Sequence, residues 1–244
     1  MSGEFEGKRI VLTGGGGDIA IATAPLLLAA GARLHLVDID GTRLAMAKKK
    51  VGGGRRVSVH QSDLATPASC AKALDTAGGK LYGLVHLAGV FERDTLDPKR
   101  REVWDRAIAS NLTNAYDMSV AFIPRADPKQ TCRIIFLSSL AATRGSHLYV
   151  AYSAAKAGLI GLARALAPAL APKILVNGLA PGLIDTRMPA EHLRLRGEEM
   201  IKNIPLGRIG TSAEVSTVIE FLLSAASSYI TGQTISVDGG VIRR

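Results

Sequence analysis

Short apolar runs and longer helical stretches alternate along almost the whole chain, and this alternation constrains the fold more than any other feature. The seven apolar runs are Lys8–Thr13, Arg33–Asp38, Arg56–His60, Leu81–Leu87, Arg133–Ser138, Ile174–Asn177 and Thr234–Val237. Several are apolar almost throughout, as expected of parallel strands that helices cover on both faces. The pattern predicts an α/β fold with a doubly wound parallel sheet of about seven strands and helices on both faces.

The same pattern predicts a single domain. The 244 residues contain no stretch that resembles a linker, a low-complexity segment or an internal repeat. The longest departure from the alternation covers residues 183–210, between the sixth and seventh predicted strands, and it is charged and bracketed by prolines. An insertion at the carboxyl end of a strand is where a lid over a site would lie. We therefore expect one domain over residues 1–244, with residues 183–210 as the lid.

The chain is basic, with 30 Lys and Arg residues against 21 Asp and Glu residues and a formal charge of +9. The basic residues are scattered and aromatic residues make up only 5%, too few for a base-stacking surface, so we expect no nucleic-acid binding. The sequence has no run of 18 apolar residues and no N-terminal signal core. We therefore expect no membrane span and a cytoplasmic location. Cys70 and Cys132 lie far apart and predict buried free thiols, with no metal site.

A glycine-rich turn follows the first predicted strand directly. Residues 13–20 read Thr-Gly-Gly-Gly-Gly-Asp-Ile-Ala and open a helix. Glycines let the backbone approach a pyrophosphate, and a helix N-terminus adds N–H donors and the positive end of a dipole. Four glycines alone are also compatible with a flexible turn, but their place between a strand and a helix favours dinucleotide binding. The candidate contacts in this turn are Gly14, Gly16, Gly17, Asp18 and Ile19.

The second predicted strand ends at Asp38, 24 residues after Gly14. A carboxylate at that place can accept both hydroxyl groups of an adenosine ribose, and it repels a 2′-phosphate. The alternative interpretation is a simple turn and helix cap. We expect NAD(H) to be the preferred cofactor and NADP(H) to be the alternative. Arg43 is the residue that could accommodate the additional phosphate of NADP(H).

Tyr152 and Lys156 are one helical turn apart and therefore share a helix face. A nearby cation stabilises a phenolate and lowers the pKa of the phenol, which suits proton transfer to or from a carbinol oxygen. The spacing alone means little, because it is common on helix surfaces. Ser139 lies thirteen residues upstream, at the end of a predicted strand, where its hydroxyl could hold a substrate oxygen. Asn111 lies between two helical stretches.

In this order, these residues resemble the motifs of the short-chain dehydrogenase/reductase family, and the resemblance extends from Lys8 to Gly240. Further matching segments are Asp63-Leu64, Ala88-Gly89, Asn177 to Thr186, Pro205 to Arg208, Tyr229 to Gln233 and Asp238 to Gly240. The resemblance implies a Rossmann fold and an NAD(P)-dependent oxidoreductase that interconverts a secondary alcohol and a ketone by hydride transfer. It also implies a homotetramer, in which the helix of Tyr152 and Lys156 and the helix after Asn111 pair across two-fold axes.

The resemblance also assigns roles to individual residues. Tyr152 is the general acid in reduction and the base in oxidation, and Ser139 orients the carbonyl group. Lys156 binds the nicotinamide ribose and lowers the pKa of Tyr152, while Asn111 holds a water that relays protons from Lys156 toward solvent. Asp63 contacts the adenine, Ala88 and Gly89 pass beside the cofactor, and Ile184 and Thr186 hold the nicotinamide carboxamide. Further cofactor contacts are Leu64, Pro181 and Gly182.

The chain departs from the family's Thr-Gly-x-x-x-Gly-x-Gly pattern at two positions, where Asp18 and Ala20 replace glycines. The aspartate places a charge near the pyrophosphate. We expect its side chain to cap the first helix, while Gly17 provides the close backbone approach. His86 stands where the family has asparagine, and we expect a buried histidine with satisfied hydrogen bonds. Pro25 should kink or end the first helix.

The residues leave two substrate classes open. The closing segments are similar to those of 3-oxoacyl thioester reductases, in which case Arg125, Lys129, Arg133 and Lys173 would meet an acidic carrier protein. The other class is an NAD-linked dehydrogenase of a sugar, polyol, hydroxy acid or steroid-like alcohol, which Asp38 favours. A hypothesis of a different kind is a catalytically silent dinucleotide-binding scaffold. The intact set of catalytic residues argues against it.

Overall fold

The computed structural model describes residues 3–97, 99–187 and 199–242. The strands in these ranges are β1 (Arg9–Thr13), β2 (Arg33–Asp38), β3 (Val57–Gln61), β4 (Gly83–His86), β5 (Cys132–Leu137), β6 (Ile174–Pro181), β7 (Ile184–Asp185), β8 (Gly210–Thr211) and β9 (Thr234–Val237). All seven predicted strands are present. The fourth is shorter than predicted and the sixth continues to Pro181, the first residue of the Pro-Gly turn.

Seven strands form one parallel sheet in the order β3-β2-β1-β4-β5-β6-β9, while β7 and β8 pair separately. The strand order reverses between β1 and β4. The connections that leave these two strands therefore run to opposite faces, and a crevice opens at their carboxyl ends. The sheet confirms the predicted doubly wound α/β fold, and its reversal point predicts where a ligand would bind.

Helices cover both faces of this sheet. They include α1 (Asp18–Ala29), α2 (Gly41–Val51), α3 (Pro67–Asp75), α4 (Glu102–Ile108), α5 (Asn114–Phe122), α6 (Ala141–Arg144), α7 (Val150–Leu170) and α8 (Ser212–Leu223). Alternate residues of β1 face opposite layers: Ile10 and Leu12 belong to the core formed with α1, α2 and α8, and Val11 to the core formed with α3, α5 and α7. Because both faces are covered, β1 is apolar on both.

Two local expectations meet different outcomes. Cys70 and Cys132 are buried free thiols, as predicted, and burial raises the pKa of the Cys70 thiol to about 11.

Helix α1, in contrast, continues past Pro25 to Ala29, so the proline does not end it. Buried residues on either side of the proline, Ala24 and Leu27, hold that part of the helix against the core, and tertiary packing of this kind overrides local propensity.

The predicted lid lies partly outside the described residues, because residues 188–198 are not among them. Its two ends meet: Ile184 and Asp185 of β7 pair with Gly210 and Thr211 of β8. The segment thus leaves and returns at the carboxyl edge of the sheet, beyond the end of β6. No helix within the described ranges is long and apolar enough to cross a membrane.

Candidate active site

The glycine turn connects β1 to α1 at the crevice, in close contact with the chain that leaves β4. Gly14 has a φ of +63°, and a Cβ there would lie 3.0 Å from the backbone nitrogen of Ala88. Gly15 is equally confined, because its Cβ would lie 2.7 Å from Cβ of Leu36. The turn needs glycine at these positions, and it leaves the N-terminus of α1 open toward the crevice.

Thr13, the last residue of β1, joins the two strands below the crevice. Its hydroxyl oxygen accepts hydrogen bonds from the backbone N–H groups of Leu87 and Ala88, both at 3.1 Å, and lies 3.0 Å from Nδ1 of His86. The hydroxyl proton is therefore directed to Nδ1, which leaves the Nε2 proton of His86 to bond Oδ1 of Asn114 at 3.2 Å. Burial, with a further contribution from Lys156, lowers the pKa of His86 to about 3. His86 is a buried neutral histidine with satisfied hydrogen bonds, as predicted.

Asp38 lies at the end of β2, beside the glycine turn. One carboxylate oxygen accepts from the backbone N–H of Gly16 at 2.8 Å and the other from the N–H of Asp40 at 3.0 Å. Arg43, in the first turn of α2, also lies next to Gly16. A Cβ added to Gly16 would lie 2.8 Å from Cβ of Arg43. The Arg43 guanidinium is 3.2 Å from the carboxylate of Asp40. A carboxylate oxygen accepts more than one hydrogen bond, so Asp38 retains capacity for ribose hydroxyl groups.

Tyr152 and Lys156 share the buried face of α7, and Ser139 follows β5 at the adjacent strand end. The Ser139 side chain is close enough to the phenol of Tyr152 to lower its pKa. The Lys156 ammonium lies 5.6 Å from the centre of the Tyr152 ring and donates to the carbonyl oxygen of Leu137 at 2.8 Å. The three side chains predicted to act together therefore meet at the carboxyl edge of the sheet.

Burial dominates the protonation of both groups on α7. It raises the pKa of Tyr152 to about 12, against a smaller opposite effect of the Ser139 side chain, and it lowers the pKa of Lys156 to about 8. The expectation that Lys156 depresses the pKa of Tyr152 is therefore wrong for the site without cofactor. Removal of the phenolate from water dominates, and the opposing contribution comes from Ser139 and not from Lys156.

Asn111 lies in a π-helical turn, residues 109–113, that joins α4 to α5. Its Nδ2 donates to the carbonyl oxygens of Ala107 at 2.9 Å and Val90 at 3.1 Å, while its buried Oδ1 has no partner among the described residues. A Cβ on Gly89 would collide with this Oδ1 and lie 3.3 Å from Nζ of Lys156. Gly89, Asn111 and Lys156 are thus close neighbours, and Oδ1 of Asn111 is an acceptor that a bridging water could engage.

The remaining predicted contacts lie at the same edge of the sheet, at strand ends and in the segments that follow them. Asp63 is exposed after β3 and Leu64 is buried with a φ of +52°. Pro181 ends β6, and a Cβ on Gly182 would lie 2.7 Å from Cα of Asp238. The described part of the next segment places Ile184 in β7, with Thr186 following it.

Asp18 does not cap α1. The N-cap is Gly17, and the carboxylate of Asp18 instead accepts from the backbone N–H and Nε of Arg187, at 2.8 and 2.9 Å. Partial burial favours the neutral acid, but the hydrogen bonds and charge of Arg187 hold the pKa of Asp18 below its usual range. Sequence reasoning missed Arg187, whose only local signal is its place directly after Thr186.

Sequence reasoning also missed an aromatic wall beside Tyr152. Phe91 stacks on Tyr149, with ring centres 3.9 Å apart and planes 16° apart, and meets the ring of Tyr152 edge-on at 4.9 Å. A backbone hydrogen bond of 2.9 Å from Asp94 to Leu148 holds the two loops together. Phe91 and Tyr149 therefore form an aromatic wall beside the ring of Tyr152.

The basic residues proposed to meet a carrier protein lie at the opposite edge of the sheet from Ser139. Arg125 and Lys129 precede β5, and Lys173 precedes β6, so all three lie at the amino ends of parallel strands. Arg133 is buried, and Arg125 forms a bidentate pair with Asp75 at 2.7 and 2.8 Å. Within one subunit these residues do not border the site, and Arg133 is unavailable to any partner.

Together the site fits a dinucleotide: glycines that a Cβ would block, a helix N-terminus, a carboxylate at the end of β2 and an unpartnered acceptor at Asn111. Within the ranges that the structure covers, no three His, Cys, Asp or Glu side chains are grouped as metal ligands.

Comparisons with known proteins show the family of this chain. A family model described as Enoyl-(Acyl carrier protein) reductase matches residues 16–242. An uncharacterized short-chain type dehydrogenase/reductase of Sinorhizobium fredii is 35% identical, over 98% of each chain. The chain belongs to the short-chain dehydrogenase/reductase family. It is an NAD(P)-dependent oxidoreductase that acts on CH–OH groups, with the Rossmann fold of that family.

Two further relatives of this short-chain dehydrogenase/reductase carry substrate names. The 3-oxoacyl-[acyl-carrier-protein] reductase FabG of Chlamydia trachomatis is 34% identical, over 99% of this chain and all of that protein. A protein of Brucella melitensis with a crystal structure, named as a short-chain dehydrogenase/reductase and glucose/ribitol dehydrogenase, is 35% identical, with a TM-score of 0.94 over the full length of both chains.

Proposed function

We propose that this enzyme transfers a hydride between NAD(H) and a secondary alcohol/ketone pair, with Tyr152 as the general acid and base. The observation that carries the proposal is the buried Tyr152 phenol, whose pKa the Ser139 side chain lowers and which lies one helical turn from Lys156. A catalytically silent scaffold would have no need to bury a phenol and an ammonium side by side.

In reduction, Tyr152 donates its phenolic proton to the carbonyl oxygen, and the Ser139 hydroxyl holds the same oxygen. A pKa of about 12 keeps the phenol protonated at neutral pH, so the proton donor is in its required state. Oxidation requires the phenolate and is therefore favoured by alkaline conditions.

Lys156 and Asn111 resupply the proton. The unpartnered Oδ1 of Asn111 accepts from a water beside Gly89 and Lys156, and this water connects the ammonium to solvent. The route needs the π-helical turn, because the turn directs Nδ2 of Asn111 to Ala107 and Val90 and leaves Oδ1 free for the water.

The residues that would hold the cofactor lie at the carboxyl edge of the sheet, where the strand order reverses between β1 and β4. When bound, the cofactor supplies the hydride in reduction and accepts it in oxidation. The residues assigned to line its site are Gly14, Gly16, Gly17, Asp18, Ile19, Asp38, Asp63, Leu64, Ala88, Gly89, Tyr152, Lys156, Pro181, Gly182, Ile184 and Thr186. Asp38 accepts the adenosine ribose hydroxyls and favours NAD(H), and the pairing of Arg43 with Asp40 supports this preference because it occupies the cation that a 2′-phosphate would need.

Two substrate classes remain, and each has its own support. The FabG relative is named for 3-oxoacyl groups on a carrier protein, and we place 3-oxoacyl thioesters first. A carrier would approach the carboxyl edge, where Arg93 and Arg144 are exposed, and not Arg125, Lys129 and Lys173 of the same subunit. The second class, a polyol or sugar, is supported by the name of the Brucella melitensis relative and by the NAD(H) preference expected from Asp38.

We further propose a single domain, residues 183–210 as its substrate-binding lid, a homotetramer and a cytoplasmic location.

The tetramer is supported by exposed residues of α5 and α7 that one subunit does not cover. Tyr116 and Val120 of α5 are 52% and 46% exposed, and the exposed face of α7 carries the small residues Ala157, Gly161 and Ala165. Small residues let helices approach closely across an interface, and the buried free thiols are compatible with a reducing compartment.

The test is a screen of 3-oxoacyl thioesters, polyols, sugars and hydroxy acids with NAD(H) and NADP(H). Tyr152→Phe should lower turnover of the substrate found by about 100- to 10,000-fold, because it removes the proton donor. It should leave the Kd for NADH within about twofold of the wild-type value. Retention of most of the wild-type rate in Tyr152→Phe would contradict the assignment of the general acid, and a wild-type protein that binds no nicotinamide cofactor would contradict the function.

A further inference from the structure

We propose that Arg187 is a positioning residue for the cofactor, which neutralises Asp18 and presents positive charge to the pyrophosphate. The proposal rests on the proposed function, because it takes the glycine turn as the pyrophosphate site. It concerns a departure from the family pattern: Asp18 stands where that pattern has a glycine.

Three donors of Arg187 contact the glycine turn, two at Asp18 and one at Gly16. The backbone N–H of Arg187 donates to Oδ2 of Asp18 at 2.8 Å and Nε donates to Oδ1 at 2.9 Å, while Nη2 donates to the carbonyl oxygen of Gly16 at 2.7 Å. One arginine thus binds both carboxylate oxygens and the backbone of the turn. Planar guanidinium groups favour such fixed arrangements over single flexible contacts.

An unpaired Asp18 would oppose cofactor binding. Its carboxylate belongs to the first residue of α1, where the helix N-terminus attracts anions, so it competes there with a pyrophosphate and repels it. Arg187 cancels this charge. No hydrogen bond within the described residues engages Nη1, and the side chain is 54% exposed, so donors remain for a phosphate oxygen.

The pair also connects the two ends of the proposed cofactor site. Asp18 belongs to the pyrophosphate turn, and Arg187 directly follows Thr186, which is assigned to the nicotinamide carboxamide. The two residues are 169 positions apart in the sequence. Through the backbone bond from Arg187, the position of the chain after β7 depends on the glycine turn.

The experiment compares Arg187→Ala, Asp18→Gly and the double variant by fluorescence titration with NADH. Arg187→Ala should raise the Kd for NADH about tenfold, since it loses a charge-assisted contact and exposes the pyrophosphate to Asp18. Asp18→Gly should bind NADH at least as tightly as the wild type. The double variant should lie between Arg187→Ala and the wild type, because the repulsion disappears together with the donor.

A second probe locates the effect at the pyrophosphate. Calorimetric Kd values for ADP-ribose should follow those for NADH, whereas the Kd for adenosine should stay within about twofold in every variant. Arg187→Lys should recover part of the affinity, and the KM for NADH should rise in Arg187→Ala with kcat changed less than about twofold. Arg101→Ala is the matched control, because it removes an exposed arginine from an ion pair with Asp105 on α4.

The outcomes separate this inference from the proposed function. A wild-type protein that binds neither NADH nor ADP-ribose would contradict the proposed function. Wild-type binding with an unchanged or lower Kd in Arg187→Ala would overturn the role of Arg187. A double variant as weak as Arg187→Ala would overturn the part assigned to Asp18. Thermal unfolding of every variant without cofactor shows whether the fold is intact, and equal losses of affinity for adenosine and ADP-ribose would also overturn the inference.

Discussion

Burial governs the protonation of Lys156 and Tyr152 in the site. Lys156 illustrates this, because its pKa of about 8 places its titration within the range of ordinary assays. Above that pH the side chain is a neutral amine and a weaker donor to the ribose. The value of kcat/KM for NADH, which reports the free enzyme, should therefore fall above about pH 8 with the slope of one proton.

The matched variant for this prediction is Lys156→Arg. The guanidinium keeps its charge through this range, so the profile should be flat to about pH 10 at a lower absolute value. A flat profile in the wild type would contradict the assignment of the titration to Lys156.

Asp38 supports a second prediction at this scale. A 2′-phosphate would meet its carboxylate, and repulsion together with lost ribose bonds should cost about 2–3 kcal/mol, roughly 30- to 150-fold in kcat/KM. The wild type should prefer NADH by that factor, and Asp38→Ala should remove most of the preference. Because Asp38 also holds Gly16, the variant should bind both cofactors less tightly, so the ratio is the informative quantity. A wild-type preference for NADPH, or an unchanged ratio in Asp38→Ala, would contradict this role.

At the scale of elements, a buried histidine joins β2 to its neighbours. Nδ1 of His35 lies 2.8 Å from the Ser58 hydroxyl of β3 and Nε2 lies 3.1 Å from the carbonyl oxygen of Ala73 in α3. Burial, opposed by the Ala73 contact, lowers the pKa of His35 to about 4 from its ordinary 6.5. Between these values the unfolded chain binds more protons than the folded one, so stability is lost as the pH falls from 6.5 toward 4.

The expected loss from His35 is about 2 kcal/mol between about pH 7 and pH 5. Urea unfolding at both pH values measures it in the wild type and in His35→Gln, which has no titration in this range. His86 contributes equally to both proteins, so the difference between their slopes belongs to His35. Equal changes in unfolding free energy between the two pH values would show that His35 takes up its proton in the folded protein as in the unfolded chain, and would contradict the prediction.

At the scale of the whole molecule, the prediction concerns assembly. Light scattering should give four times the chain mass of 25.6 kDa. A Cβ on Gly161 would meet nothing within 4 Å in its own subunit, so Gly161→Lys should leave the fold intact and gain about 1 kcal/mol of helix propensity. If the exposed face of α7 is the interface, this variant should be smaller than a tetramer, whereas the control Ala45→Lys on the exposed face of α2 should not. A monomeric wild type would contradict the assembly.

The strand pattern of the fold and several residues of the proposed site follow from local sequence. The alternation of apolar runs determined the parallel sheet, since strands covered on both faces must be apolar on both. The glycine turn, Asp38, Ser139 and the Tyr152–Lys156 spacing could be located because each follows a strand end or repeats with the helical period. Each of these signals lies within a few consecutive residues, because turns, strand ends and helical periodicity depend on the conformation of neighbouring residues.

Tertiary structure decided what depends on distance between remote segments and on exclusion of water. Arg187 meets Asp18 across 169 residues, and no pattern in either segment encodes that contact. The π-helical turn frees Oδ1 of Asn111, and the parallel direction of β5 and β6 sends the basic residues before them to the edge away from the site. The high pKa of Tyr152 has the same origin, because the desolvation that raises it depends on burial in the folded chain.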